Sequence, residues 1–414
     1  MARPSLRVAD RGVDRRCAGE GHALTGTDHD AGGRAAALAD RLFRAGDIGD
    51  PAWRIAFARV PRHVFVPSYG RYEHAAEGTQ YVLVSGDEPG QCEEWLNGVY
   101  SDETLITQIN GRPVEAALPG GRGTGAWTSS STAPGLMARM LEALDVADGM
   151  TVLEIGTGTG YNAALLSERL AAHNVTSVDI SEQLVDTARR RLQSLGYRPA
   201  VAAVDGREGH PGRAPYERII ATCAFPSIPP AWLDQLKPGG LVLVNIAGGI
   251  GGAMAVARMD EGGTATGRYL PEWAGFMPAR SLGSTPEPNY PEAECSRETP
   301  LGPGALDDAA FAFLAQLHVG EAAPYWATHE DGFQLYGLGA PDGSWAEVHP
   351  TREHGLRRVE QGGPRRLWDL IESAGQTWHD LGRPDWSSFG ITATAAEQRV
   401  WFATPAGPSW RLPS

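Results

Sequence analysis

Cysteine is scarce in this chain, with four residues in 414, and Cys17, Cys92, Cys223 and Cys295 show neither C-x-x-C spacing nor a metal-ligand pattern with histidine. That excludes a zinc ribbon and a disulfide framework and predicts reduced thiols. His63, His210 and His354 also lack ligand spacing, so no metal is expected. No run of about 18 apolar residues occurs, and the N-terminus has no apolar core of a signal peptide, which predicts a cytoplasmic protein without a membrane partner. Basic residues are outnumbered, 36 Lys and Arg against 50 Asp and Glu, and the net charge of −14 opposes nucleic-acid binding. A charged fraction of 21% beside 42% hydrophobic residues excludes global disorder, and the length predicts two or three folded units.

Glycine is plentiful, and it matters most in VLEIGTGTGYNAALL, Val152 to Leu166. An apolar strand, a tight turn and a helix start follow one another there. Gly156, Gly158 and Gly160, with Thr157 between them, let backbone bend and approach a ligand closely. The spacing is not the G-x-G-x-x-G of dinucleotide sites, and no Gly-Lys-Ser/Thr follows to cradle phosphate. Acidic residues stand where strands end: Glu154, then Asp179 after VTSVDI, then Asp205 with Gly206 after AVAAV. Asp179 lies about 20 residues past the last glycine, the place of a ribose-binding carboxylate, and Asp205 suits an adenine amino group. An acidic pocket without a phosphate cradle disfavours a pyrophosphate and favours a cationic cofactor, S-adenosyl-L-methionine, with S-adenosyl-L-homocysteine as product.

The rest of the chain divides by composition. Residues 1–34 are expected to be a disordered tail, 35–280 the domain that holds the glycine loop, 281–304 a Pro/Gly/Ser linker, and 305–414 a smaller C-terminal unit. Two helices are expected between Ala35 and Val60, then the proline-bracketed VPRHVFVP, an irregular segment up to a turn at VYSDETLITQI, Val99 to Ile109, and the Gly-rich loop LPGGRGTGAW. Ser130, Ser131 and Thr132 precede Pro134 and read as caps of a helix running to Leu144. That helix leads directly into the first strand, so its N-terminal end is expected to face the ligand edge of the sheet. AVARMDEGGTATGRYL reads as an antiparallel hairpin at the sheet's edge. The expected fold class is α/β: a Rossmann-like class I methyltransferase sheet with an N-terminal helical segment and an α+β C-terminal domain.

Several segments together, VPRHVFVP, Tyr100-Ser101-Asp102, VLEIGTGTGY, Asp205-Gly206-Arg207 and IPPAWLDQLKPGG, resemble the protein-L-isoaspartate O-methyltransferases over Trp53 to Arg280. The resemblance implies a seven-stranded sheet and carboxyl methylation. The family's Thr-x-Ser-x-Pro segment, whose Ser lies beside the transferring methyl, matches Ser130 and Thr132, so these two are the expected catalytic residues. Ser131, Tyr100 and Asp102 are expected to touch substrate. The match departs from the family in having Thr132 for Ser and Ser130 for Thr.

A larger departure is the C-terminal extension. In this the chain looks like the homologues encoded beside graspetides, lanthipeptides and lasso peptides, whose GSWAEVHP-, GPRRLWDLIE- and GRPDWSSFGIT-like segments it shares. That likeness implies an Asp carboxylate of a macrocyclic precursor peptide as acceptor, leading to aspartimide or isoaspartate. Two readings stand for Trp326, Trp345, Trp368, Trp378, Trp386 and Trp401: together a peptide-reading surface or, as each taken singly favours, the core of a small domain. Arg365 and Arg366 read either as contacts for acidic peptide residues or as solvated surface. The alternative is repair of isoaspartyl residues. Oligomeric state is not legible in the sequence.

Overall fold

A computed structural model describes residues 31–75, 78–280, 292–328, 332, 334–353 and 355–413. The chain forms two compact units, one reaching to Arg139 and including Gly158–Tyr161, the other comprising Met140–Thr157 and the chain from Asn162 onward. The expected tail is described only from Ala31, where a helix already begins.

In the first unit, helices Ala31–Ala45 and Pro51–Arg59 bury Leu38, Leu42, Trp53 and Phe57. Asp50 starts the second by accepting the Ala52 amide at 2.8 Å, with Pro51 in the first turn. Where an irregular segment, a turn and a Gly-rich loop were expected, the chain forms a six-stranded sheet. Ser68–Ala75 and Gly78–Ser85 form its hairpin, Leu105–Ile109 joins the first of these, and Trp127–Ser131 pairs with Leu105–Ile109. Its remaining strands, Arg112–Pro113 and Arg122–Gly123, are two residues long, too short to leave a periodic signal.

The second unit is built on a ten-stranded sheet. Across it run Ser409–Arg411, Gln398–Phe402, Phe389–Ala393, Ala265–Tyr269, Gly252–Met259, Leu236–Ala247, Tyr216–Phe225, Val152–Ile155, Val175–Asp179 and Ala200–Ala203. The last five of these pair in parallel, as buried β-rich runs linked by helices should. The hairpin Gly252–Met259/Ala265–Tyr269 forms as expected but is not an edge, because Phe389–Ala393 pairs with its outer strand. Three strands of the extension therefore enlarge a sheet of seven, and Phe389, Ile391 and Val400 lie in the same core as Leu153, Ile219 and Val242.

The C-terminal portion was expected to stand apart after a linker. Part of that linker, Cys295–Thr299, is a strand of a separate five-stranded sheet, and 281–291 lies outside the described residues. Helix Ala309–Val319 is apolar nearly all round because it serves two cores: Phe313 and Leu314 face the large sheet, while Phe311, Ala315 and Val319 face the small one. Glycines permit that approach, since a Cβ on Gly251 would stand 2.6 Å from the Ala312 carbonyl oxygen. Among the tryptophans expected to read peptide, Trp345, Trp368 and Trp401 are buried, Trp378 and Trp386 pack on core, and Trp326 alone is broadly exposed, at 67%. Arg365 is paired with Asp342 and Arg366 with Glu294, both at 2.7 Å.

Cys223 and Cys295 are free thiols, whereas Cys92 is disulfide-bonded, against the expectation of reduced cysteines. Cys17 and His354 lie outside the described residues. No described helix is long and apolar enough to cross a membrane.

Candidate active site

The loop after Val152–Ile155 holds its shape through three glycines with positive φ, +99° at Gly156, +50° at Gly158 and +90° at Gly160. A Cβ on Gly156 would meet Thr222 Oγ1 at 2.6 Å, so side chains are excluded sterically as well. The amides of Gly156 and Thr157 donate to the Val178 carbonyl at 2.8 and 3.0 Å, and the Thr222 hydroxyl donates to the Gly156 carbonyl at 2.8 Å.

Glu154 lies beneath this loop with no exposed surface. Ser177 donates to one of its oxygens at 2.5 Å and Asn162 Nδ2 to the other at 2.8 Å. Because Ser177 spends its only proton on Glu154, the Thr157 hydroxyl, 2.6 Å away, is the donor to Ser177. Burial, only partly offset by these donors, pushes the Glu154 carboxyl up to about 7. Glu154 and Thr157, both expected to contact cofactor, are linked through Ser177 and so brace the loop from within.

Asp179 is 8% exposed, and its Oδ1 accepts the Ser181 amide at 3.0 Å with Arg280 Nη2 at 3.5 Å. Asp205 caps a short turn through the Arg207 amide at 3.0 Å and pairs with the Arg207 guanidinium at 2.8 Å. Trp232 Nε1, from the IPPAW segment, donates to the Gly206 carbonyl at 2.7 Å. Asp179 pairs in register with Ala203, so Glu154, Asp179 and Asp205 all stand where adjacent parallel strands reach their carboxyl ends. An anionic strand edge beside a side-chain-free cradle fits a cationic ligand such as S-adenosyl-L-methionine. Cys223, near the end of strand Tyr216–Phe225, is a partly buried thiol that desolvation pushes up to about 12, away from the thiolate form at neutral pH.

In the first unit, Trp127–Ser131 is a strand rather than a capping turn. Alternation buries Ser129 and Ser131 and leaves Ser130 and Thr132 half-buried on the other face. Helix Pro134–Ala143 is capped from elsewhere: Asp102 accepts the Gly135 amide at 2.6 Å, and Thr104 accepts the Ala133 amide at 3.1 Å. Within the same unit the loop residue Gly158 approaches this strand, its notional Cβ standing 3.8 Å from the Ser130 carbonyl oxygen.

Three residues expected to touch substrate have internal roles. Tyr100 is buried and its hydroxyl lies 2.7 Å from His63 Nδ1. Ser131 faces the guanidinium of Arg62, and Asp102 is the helix cap. Arg62 went unassigned in the sequence although it stands in VPRHVFVP. It is fully buried, and Nη1 donates to the carbonyls of Val99 and Ser101 at 2.9 and 3.1 Å. Its Nη2 faces the carbonyls of Glu103, Ser131 and Thr132, each at 3.1 Å. A buried arginine leaves a clue only in being flanked by apolar residues and prolines.

The family model described as Protein-L-isoaspartate(D-aspartate) O-methyltransferase matches residues 115–273. A protein-L-isoaspartate O-methyltransferase of Thermococcus onnurineus is 32% identical over 210 residues, covering 50% of this chain and 75% of that protein. One from Methanopyrus kandleri is 39% identical over 212 residues, with the same coverage. A solved structure of a protein-L-isoaspartate O-methyltransferase aligns with a TM-score of 0.51 at 23% identity, covering 89% of this chain and 99% of its own, which speaks for the fold. The chain belongs to the protein-L-isoaspartate O-methyltransferase family of S-adenosylmethionine-dependent carboxyl methyltransferases.

Proposed function

We propose that this enzyme methylates the free carboxylate of L-isoaspartyl residues in proteins or peptides. The observation that carries the reading is the half-buried hydroxyl pair of Ser130, on a strand that Gly158 of the glycine loop approaches, and Thr132, just past that strand's end. The family relatives support isoaspartate as the acceptor.

S-adenosyl-L-methionine, when bound, supplies an electrophilic methyl on a sulfonium. The backbone of Gly156–Gly160, Asp179, and Asp205 with Gly206 would hold it, and the Glu154–Ser177–Thr157 brace keeps the loop shaped for it. The acceptor carboxylate titrates near 4 and is ionised at neutral pH, so the protein needs no strong base. Its task is orientation: Thr132 donates a hydrogen bond to one carboxylate oxygen, and Ser130 assists from the same face. In the ester formed, methoxide is a far better leaving group than the oxide of a carboxylate. The backbone nitrogen of the following residue attacks the ester carbonyl, loses its proton as methanol departs, and closes a succinimide without help from the enzyme.

Maturation of an Asp in a ring-closed peptide rested on the extension. The fold of a solved isoaspartate methyltransferase spans 89% of this chain, so the extension does not single out that substrate. Incubation with S-adenosylmethionine and an isoaspartyl peptide, followed by mass spectrometry, should give a gain of one methylene that base removes as methanol. No mass gain would refute the reading.

A further inference from the structure

We infer that Arg62 is a positioning residue for methyl transfer, its buried guanidinium fixing where the Thr132 hydroxyl stands. The inference rests on the isoaspartyl reading for its reaction, and on the first unit alone for its geometry.

Arg62 has no exposed surface, and its hydrogen-bond acceptors are the carbonyls of Val99, Ser101, Glu103, Ser131 and Thr132 and the Ser131 hydroxyl. That is more acceptors than its five N–H groups, and no carboxylate is among these partners. The set gathers two segments distant in sequence, Val99–Glu103 and Ser131–Thr132. The same two segments are tied again from the amide side, where Asp102 and Thr104 accept Gly135 and Ala133. Thr132 thus has its carbonyl held at 3.1 Å by Arg62 while the amide that follows it is held by Thr104. Threonine is β-branched, with few χ1 choices, so a fixed backbone restricts where the hydroxyl can stand.

The clamp also reaches the glycine loop. The Arg62 Cζ lies 5.9 Å from the centre of the Tyr161 ring, and Phe57 and Phe65 pack on that ring at 6.4 and 5.8 Å between centroids. A lysine could not replace this arrangement, because three donors at one point cannot span carbonyls that a planar fork reaches. Burial lowers the guanidinium to about 10, which leaves it charged at neutral pH.

The test is a double-mutant cycle in the full chain: Arg62→Lys and Thr132→Val, alone and together. For each, kcat and KM on an isoaspartyl peptide and the Kd for S-adenosylhomocysteine are measured below its melting temperature. Arg62→Lys is expected to lower kcat by between about tenfold and about a hundredfold. The cofactor-product Kd should stay within about twofold, and in the Thr132→Val background the substitution should cost less than about twofold further. An equal loss of kcat in both backgrounds, or none in either, would overturn the inference. Should Arg62→Lys fail to fold, Ser131→Ala removes one acceptor only and should show a smaller loss with the same non-additivity; additive losses overturn the inference there too. If the wild-type enzyme leaves the isoaspartyl peptide unmodified, the functional reading falls by itself. The clamp is then read by hydrogen exchange, where unchanged protection of Ala133 and Gly135 in Arg62→Lys counts against it and faster exchange supports it.

Discussion

At one end of the ten-stranded sheet, Val152–Ile155, Val175–Asp179 and Ala200–Ala203 run parallel, and acidic residues stand at their carboxyl ends. At the other end, Phe389–Ala393, Gln398–Phe402 and Ser409–Arg411 are antiparallel. Parallel strands deliver all their carboxyl termini to one edge, where polar groups can be gathered around a ligand. Antiparallel strands alternate in direction and cannot. What the second end contributes is an apolar inner face, with Phe389, Ile391 and Val400 buried in the shared core. The extension is therefore part of the fold of the unit that carries the acidic strand ends.

That contrast breaks most readily by truncation. Ending the chain after Arg280 strips three strands from the sheet and helix Ala309–Val319 from two cores. The expected outcome is loss of cooperative thermal unfolding and of soluble protein; a truncated chain that melts like the full one would sink the contrast. A finer cut is Phe389→Ala, expected to cost about 3–5 kcal/mol in denaturant unfolding while leaving kcat unchanged wherever the protein is folded. Thr132→Val should do the reverse, lowering kcat by about ten- to a hundredfold, the worth of one hydrogen bond to a charged group, without moving the unfolding midpoint. Gln398 ties the antiparallel end to the segment after the central strand Tyr216–Phe225: its buried side-chain amide accepts the Ile228 amide at 2.9 Å and donates to the Ile228 carbonyl at 2.5 Å. Gln398→Ala should cost about 1–3 kcal/mol, read by denaturant unfolding.

The smallest effect is one of pH. Glu154 is raised to about 7 by burial, so between the ordinary carboxyl range near 4.5 and about 7 the folded chain holds a proton that the unfolded chain has released. Its contribution to stability is present in full below about 4.5 and is lost as pH rises through about 7. Melting temperatures of the ligand-free protein should fall across that window in the wild type, and the fall should be shallower in Glu154→Gln.

The glycine loop and the strands around it were legible because each signal is local: a glycine where φ is positive, an acidic residue where a strand ends. What escaped was set by partners far along the chain. Ser130–Thr132 look like a helix cap, yet the cap is Asp102, more than thirty positions upstream of Gly135. Glu154 looks like a ligand-facing carboxylate until Ser177 and Asn162 are seen to occupy it. Gln398, polar in a strand of ordinary pattern, gives no hint that it replaces a backbone partner for Ile228. The tryptophans of the extension allowed either a binding surface or a small domain's core, and packing places most of them inside, as each taken singly suggested.

The central claim is that the acceptor is an isoaspartyl carboxylate. Its most direct test is a competition in which the full-length enzyme and S-adenosylmethionine meet two synthetic peptides of one sequence, one carrying isoaspartate and the other aspartate, with kcat/KM measured for each by mass spectrometry. The account predicts methylation confined to the isoaspartyl peptide. Methylation of the aspartyl peptide at an equal or greater rate would contradict it.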